Sequence, residues 1–211
     1  MENQGRLFEL AEDWKYFTHR DGLMAAVRPF LLDIARLPYR HLRFVILSRS
    51  LDEPCAGRQF PQQLVIRPFE KADLNLVSKI DRPSEARLCA SRLSRGHSGF
   101  MAFWDAKPAG YAWGSPDLST QLERVHPKLL AGDVLFTDSY TAPALRGKGI
   151  QTALTLARLN LFHQLGYRRA ISYVELQNSP SLAVWQRKFN GQVIGHIDFL
   201  RIGAWYKIQY G

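Results

Sequence analysis

Hydrophobic positions along this chain alternate between two spacings. Leu64–Pro68, Gly99–Trp104, Ala109–Gly114, Val134–Thr141 and Arg169–Leu176 are short runs rich in β-branched and aromatic residues. Gly, Pro, Asn and Asp punctuate them, which predicts strands. Val193–Arg201 and Ala204–Tyr210 predict a closing antiparallel pair. Lys71–Ile80 and Ser84–Ser94 predict helices between the first two strands. Ile150, Leu154, Ala157, Leu161 and Leu165 recur at helical spacing, which predicts one apolar face over 150–165. Gly166 then stands where a helix C′ glycine is expected. Pro143 stops the strand before this helix, because Pro has no ladder N–H to donate. Ser179 suits an N-cap and Pro180 the first position of a last helix. Pro116–Asp133 is a polar connection, with a short helix predicted at Leu118–Arg124.

The first sixty residues follow another pattern. Asp21 caps a predicted helix at Leu23–Arg36, with Met24, Val27, Leu31 and Ile34 on one face and Pro38 as its stop. Pro29 sits inside that helix and should kink or restart it. Leu42–Leu47 predicts a strand, and Asp52–Gln63, with Pro54, Gly57 and Pro61, predicts a linker. The expected organisation is an accessory helix–strand extension and linker over 1–62, followed by a main domain over 63–211. A basic helix carrying Arg28 and Arg36 can lie on a membrane surface. Asp21 and Asp33 dilute its charge, so packing on the main domain or on a second subunit is the preferred reading. A homodimer stays open.

Charge narrows the ligand class. The chain has 211 residues and a formal net charge of +9. Residues 1–60 hold nine Lys/Arg against eight Asp/Glu, and the remainder holds 19 against 11. The excess therefore sits on the main domain, where it would favour a multi-phosphate ligand. No dense Lys/Arg run is interleaved with aromatics, so nucleic acid is not an expected partner. Two cysteines, Cys55 and Cys89, make no disulfide framework and suit a reduced, cytoplasmic setting. Neither has His or Cys at metal-ligand spacing, so no metal is expected. Acidic residues interrupt Met1–Gly22, so it does not read as a signal peptide. No run is long enough for a transmembrane segment.

The chemistry concentrates at Arg146-Gly147-Lys148-Gly149-Ile150-Gln151-Thr152. A strand leads into this turn and a helix leaves it. The first helical N–H groups have no intrahelical acceptor, and the helix dipole adds partial positive charge there. Gly147 and Gly149 admit close backbone approach and positive φ. The turn is neither G-x-x-x-x-G-K-[ST] nor G-x-G-x-x-G.

Over residues 64–211 this array resembles the GCN5-related N-acetyltransferase (GNAT) superfamily. Arg146 and Gly149 match its Q/R-x-x-G-x-G/A turn, and Asn178 with Ser181 matches its second signature. Gln151 replaces the small last residue of the turn, and Trp185 replaces the usual tyrosine seven residues beyond Asn178. The resemblance implies an α/β (α+β) fold with a mixed, mostly antiparallel central sheet flanked by helices. The expected order is β-α-α-β-β-β-α-β-α-β-β, after the N-terminal helix–strand extension.

It also implies an acetyl-CoA-dependent N-acetyltransferase acting on a primary amine. The basic excess favours an amino sugar or nucleotide-linked amino sugar as acceptor. A protein or peptide N-acetyltransferase, or a non-catalytic acyl-CoA-binding module, are the alternatives. Implied coenzyme A contacts are Tyr140 and Thr141 on the preceding strand, and Arg146, Gly147, Lys148, Gly149, Gln151 and Thr152 at the turn. Asn178, Ser181 and Trp185 complete them. An alkylamine with pKa ~10 must lose a proton before it attacks, so a base is required. Glu175 and Asp138 are the candidate carboxylates, with Glu175 preferred. Tyr140 and Tyr173 are the candidate proton donors, because the Trp185 indole N–H is not acidic. His97 and His126 are further loop candidates for the base, with a solvated role preferred.

Overall fold

The computed structural model describes residues 39–118, 125–202 and 205–211. The helix expected at Leu23–Arg36 lies outside these residues, as does all of the one expected at Leu118–Arg124 except Leu118.

Eight strands form one sheet: β1 (Tyr39–Ser50), β2 (Leu64–Pro68), β3 (Ser98–Trp104), β4 (Lys107–Ser115), β5 (Asp133–Thr141), β6 (Arg169–Glu175), β7 (Gln192–Ile202) and β8 (Trp205–Tyr210). Helix α1 (Leu74–Ile80) and α2 (Pro83–Ser94) follow β2, α3 (Ile150–Gln164) follows β5, and the short α4 (Ser179–Ala183) follows β6. The spatial order is β2-β3-β4-β5-β6-β1-β7-β8, and all neighbours are antiparallel except β5 and β6. The mixed, mostly antiparallel sheet flanked by helices is thus present.

The position of β1 is the largest departure from expectation. This strand comes from the segment read as an accessory extension, yet it lies inside the sheet between β6 and β7. The sequence Phe44-Val45-Ile46-Leu47-Ser48 is buried without interruption. Such a run belongs to a strand covered on both faces, not to an edge. Val45 and Leu47 join the cluster beneath α3, while Phe44 and Ile46 join the cluster on the opposite face.

The apolar stripe of α3 also differs from the expected one. Its buried residues include Ile150, Leu154, Arg158, Leu159 and Phe162, whereas Leu165 is 57% exposed. Arg158 sits within the buried stripe, so apolar spacing alone pointed to a neighbouring face. At the next helix the cap is Asn178 rather than Ser179: the Asn178 side chain accepts a hydrogen bond from the Ser181 N–H. His97 is likewise buried rather than solvated, 3.3 Å from Asp117.

Two features open the sheet at its centre. Parallel pairing of β5 with β6 covers only Asp133↔Arg169, Val134↔Ala170 and Leu135↔Ile171. Arg169 fixes that root by a two-pronged ion pair with the buried Asp133, at 2.8 and 2.9 Å. Beyond it the strands separate. On its other edge β5 bulges: Trp113 pairs with Thr137 and Tyr111 with Tyr140, so Asp138 and Ser139 face Ala112 alone. Asp138 adopts φ +42°, a left-handed conformation that Asp tolerates better than most residues. A bulge of this kind bends its strand and re-aims side chains.

Gly114 lets α3 approach β4. A Cβ there would meet Phe162 Cε2 at 2.1 Å. Phe162 is 2% exposed and packs against Phe136 and Tyr167, so it has little room to move. Gly114→Ala is expected to cost about 1–3 kcal/mol, the usual range for overpacking. The thermal midpoint should fall by roughly 2–4 °C for each kcal/mol in a chain of this size. Calorimetry on Gly114→Ala and on Gly114→Ala/Phe162→Leu checks this: recovery in the double variant assigns the loss to the Phe162 ring.

Candidate active site

The separation of β5 and β6 creates a cleft of about 980 Å³. One end is the turn before α3. Gly147 and Gly149 have φ +80° and +82°, and a Cβ at either would meet nothing within 4 Å. The glycines therefore serve backbone conformation and open approach, not tight packing. Gly149 is the N-cap of α3 and supplies no side-chain acceptor, and no acidic residue stands in the first turn. The leading N–H groups and the dipole are free to meet an anion.

Side chains around this turn are held in place. Gln151 donates from Nε2 to Ser181 Oγ at 3.1 Å, which ties the two signature helices together. Lys188 Nζ donates to Thr152 Oγ1 at 3.0 Å, and both residues line the cleft. Lys188 lies on a single π-helical turn, Val184–Lys188, a form common at functional sites. Sequence reading missed it, because nothing in the spacing announces a π-turn. Arg146 also lines the cleft, whereas Lys148 turns away and stacks its ammonium 4.6 Å from the Trp104 ring centroid.

Trp185 is 2% exposed and packs edge-on against Phe136, with centroids 5.8 Å apart. It forms part of both the core beneath α3 and the cleft wall. Tyr140 lines the cleft through its strand position, but its hydroxyl donates to the Ile80 carbonyl at 2.5 Å. Tyr111 stacks on it and donates to Asp81 at 2.7 Å. Burial and the nearby Asp81 push the Tyr111 phenol far above its ordinary range.

The other end of the cleft carries charge of both signs. Asp138, Tyr173 and Glu175 lie there with Phe44 of β1. Tyr173 packs edge-on against Phe44 at 5.4 Å. Asp138 accepts from Arg92 Nη2 and from Thr137 Oγ1. Two residues unmarked by sequence reading, Glu85 and Arg92, enter from α2. Glu85, Leu88 and Arg92 stand three and seven residues apart, which places them on one helical stripe. Cys89 is buried and its thiol is pushed up to about 12, so it is no nucleophile at neutral pH.

Beneath the bulge, Arg158 is fully buried, and among the described residues no carboxylate pairs with it. It donates to the Trp113 carbonyl at 2.9 Å, to Ser139 Oγ at 2.9 Å and to Thr155 Oγ1 at 3.2 Å. Burial lowers its pKa to about 9. Among the described residues no group of three His, Cys, Asp or Glu side chains could hold a metal ion. No helix among them is long and apolar enough to cross a membrane.

The acetyltransferase (GNAT) family model matches residues 67–191, more than half of the chain. The chain belongs to the GNAT acetyltransferase family. Its fold is similar to that of a GCN5-related N-acetyltransferase from Sphaerobacter thermophilus, with TM-score 0.56 and 16% identity over 89% of this chain and 56% of that one. It is equally similar to a tandem GNAT protein from the clavulanic acid biosynthesis pathway: TM-score 0.56, 17% identity, 87% of this chain and 58% of that one. A GNAT-family protein from Novosphingobium aromaticivorans gives 0.52, with 14% identity over 78% and 68%. The chain thus spans little more than half the length of the first two. No curated protein matches it. The turn residues other than Lys148 line the cleft together with Asn178, Ser181 and Trp185. The candidate carboxylates Asp138 and Glu175 line the same cleft.

Proposed function

We propose that this chain is an acetyl-CoA-dependent N-acetyltransferase that acylates a primary amine. One observation carries the reading. One cleft is lined by the uncapped start of α3, by β5 and β6 beyond their paired root, and by the carboxylates Glu85, Asp138 and Glu175. The first end suits a pyrophosphate, the strand edges suit an amide-bearing arm, and the far end suits an ammonium ion. Arg146, Gly147, Gly149, Gln151 and Thr152 would hold the phosphates, with Lys188 beside them. Asn178, Ser181, Tyr140 and Thr141 would flank the arm. Bound acetyl-CoA would supply a thioester, whose carbonyl carbon is open to attack by nitrogen.

Amino sugars and nucleotide-linked amino sugars come first among acceptors, since the main domain carries the basic excess. The free thiols Cys55 and Cys89 favour a cytoplasmic setting. The buried Trp185, which offers no acidic proton, favours one second reading: a module that holds acyl-CoA without turnover.

Labelled acetyl-CoA with a library of amines, amino sugars and peptides separates these readings. Transfer of label to an amine is expected, with the best acceptor raising turnover at least about tenfold over background hydrolysis. Micromolar coenzyme A binding with no labelled amine would favour the binding module instead.

A further inference from the structure

Of the three carboxylates at the far end of the cleft, Asp138 and Glu85 lie in unequal surroundings. Asp138 sits at the β5 bulge, where the buried Arg92 guanidinium and the Thr137 hydroxyl donate to it. Both donors bind Oδ2, so this carboxylate is already engaged within the fold. Glu85 lines the same end from α2 and is partly buried. The charged groups acting on it are Asp138 of β5, Asp81 of the α1–α2 turn, Arg92 one stripe along α2, and Arg82 at the helix start. Cys89, on the buried face of α2, and Tyr111 of β4 are further ionisable groups close to it.

We infer that Glu85, on the acceptor side of the cleft, is the general base that takes the proton from the incoming ammonium group. This rests on the acetyl-transfer reading. The surroundings set the division of labour. Burial first, then repulsion by Asp138 and Asp81, push the Glu85 carboxyl up to about 7. Asp138 is tied to Arg92 and Thr137, whereas Glu85 lines the same part of the cleft from α2. A carboxylate of raised basicity matches a proton transfer at neutral pH.

The step balances. Glu85 carboxylate accepts one proton from R–NH₃⁺ and becomes the neutral acid. The amine lone pair forms the C–N bond at the thioester carbon. Collapse of the adduct breaks the C–S bond, and coenzyme A leaves as thiolate. The second nitrogen proton passes to that thiolate. Glu85 returns its own proton to solvent, so one proton is released per turnover.

The test pairs kinetics with direct titration on the full chain. For Glu85→Gln, kcat/KM for the amine should fall roughly 10²–10⁴-fold, with coenzyme A affinity unchanged within about twofold. The acidic limb of the wild-type profile, expected near pH 7, should disappear. Asp138→Asn should move that limb to lower pH, because one repelling charge is gone and Arg92 is released. Carbon-detected NMR should show a carboxyl titrating near pH 7 that is missing in Glu85→Gln. A folded Glu85→Gln variant with near-native turnover and an intact limb would overturn the assignment. So would a Glu85 carboxyl that titrates at its ordinary value, or a crippled Glu175→Gln beside an active Glu85→Gln. Failure of the wild type to acetylate any amine overturns the function reading instead, and the two failures are told apart by the wild-type assay alone.

Discussion

Gly149→Asp is expected to weaken coenzyme A binding about a hundredfold while leaving the fold intact. Gly149 has φ +82° at the N-cap of α3, with open space where a Cβ would stand. Asp is among the few residues that tolerate this backbone region, so strain is a small part of the effect. The charge is the larger part. A carboxylate ~5 Å from a pyrophosphate charge, at an effective dielectric of ~20, is repelled by about 3 kcal/mol. That is roughly two orders of magnitude in Kd. Gly149→Asn separates the terms, since it brings similar size and backbone tolerance without charge. It should weaken binding about tenfold or less. Titration calorimetry on both variants, with circular dichroism to show that they fold, is the measurement. Equal affinity in the wild type and the Asp variant would move the phosphate site away from this turn.

Much of this site was legible because the turn is local. Two glycines, their basic neighbours and the following helix lie within a few residues, and their geometry follows from backbone rules alone. The strands of the main domain were legible for the same reason: each is a short run bounded by Gly, Pro or Asp. What escaped depends on contacts between distant segments. Glu85 and Arg92 read as ordinary helix residues until α2 is laid against β5. Asp138 stands in the sequence as a candidate base with no visible partner, because its ion pair with Arg92 joins residues 46 apart.

Arg158 shows a different kind of failure. A cation in an apolar stripe reads as the solvent face, yet here its donors are taken up by β4, β5 and its own helix. It supports the bulge from beneath, where pattern arguments expect Leu or Val. Burying a guanidinium is costly unless its donors are satisfied, so such a residue marks a place where strand geometry matters. Trp185 is the converse case. Its departure from the family tyrosine was plain in the sequence, but only packing shows it shared between core and cleft.

The N-terminal strand carries the largest stability effect. A chain beginning at Asp52 lacks β1, and β6 and β7 then face each other across an empty slot with their ladder groups unpaired. Phe44, Val45, Ile46 and Leu47 are each at most 9% exposed. Burial of such side chains contributes about 1.5–3 kcal/mol apiece, so the four together approach roughly 6–12 kcal/mol. Whole domains are stable by only about 5–15 kcal/mol. The shortened chain should therefore lose cooperative folding and aggregate through its open edges. Geometry permits β1 to act in trans. β1 and β2 stand five strand steps apart, about 24 Å at ~4.8 Å per step. The residues between them span up to ~43 Å when extended, so the connection is slack rather than a taut link that sets the register. A peptide covering Tyr39–Leu51, added in excess to the shortened chain, should restore a cooperative transition by strand addition. A peptide with Leu47→Pro should not, because Leu47 is fully buried and Pro removes a ladder donor in the middle of a central strand. Thermal unfolding with each peptide reads the difference. A fragment 52–211 that unfolds cooperatively and binds coenzyme A unaided would make β1 dispensable and return residues 1–62 to an accessory role.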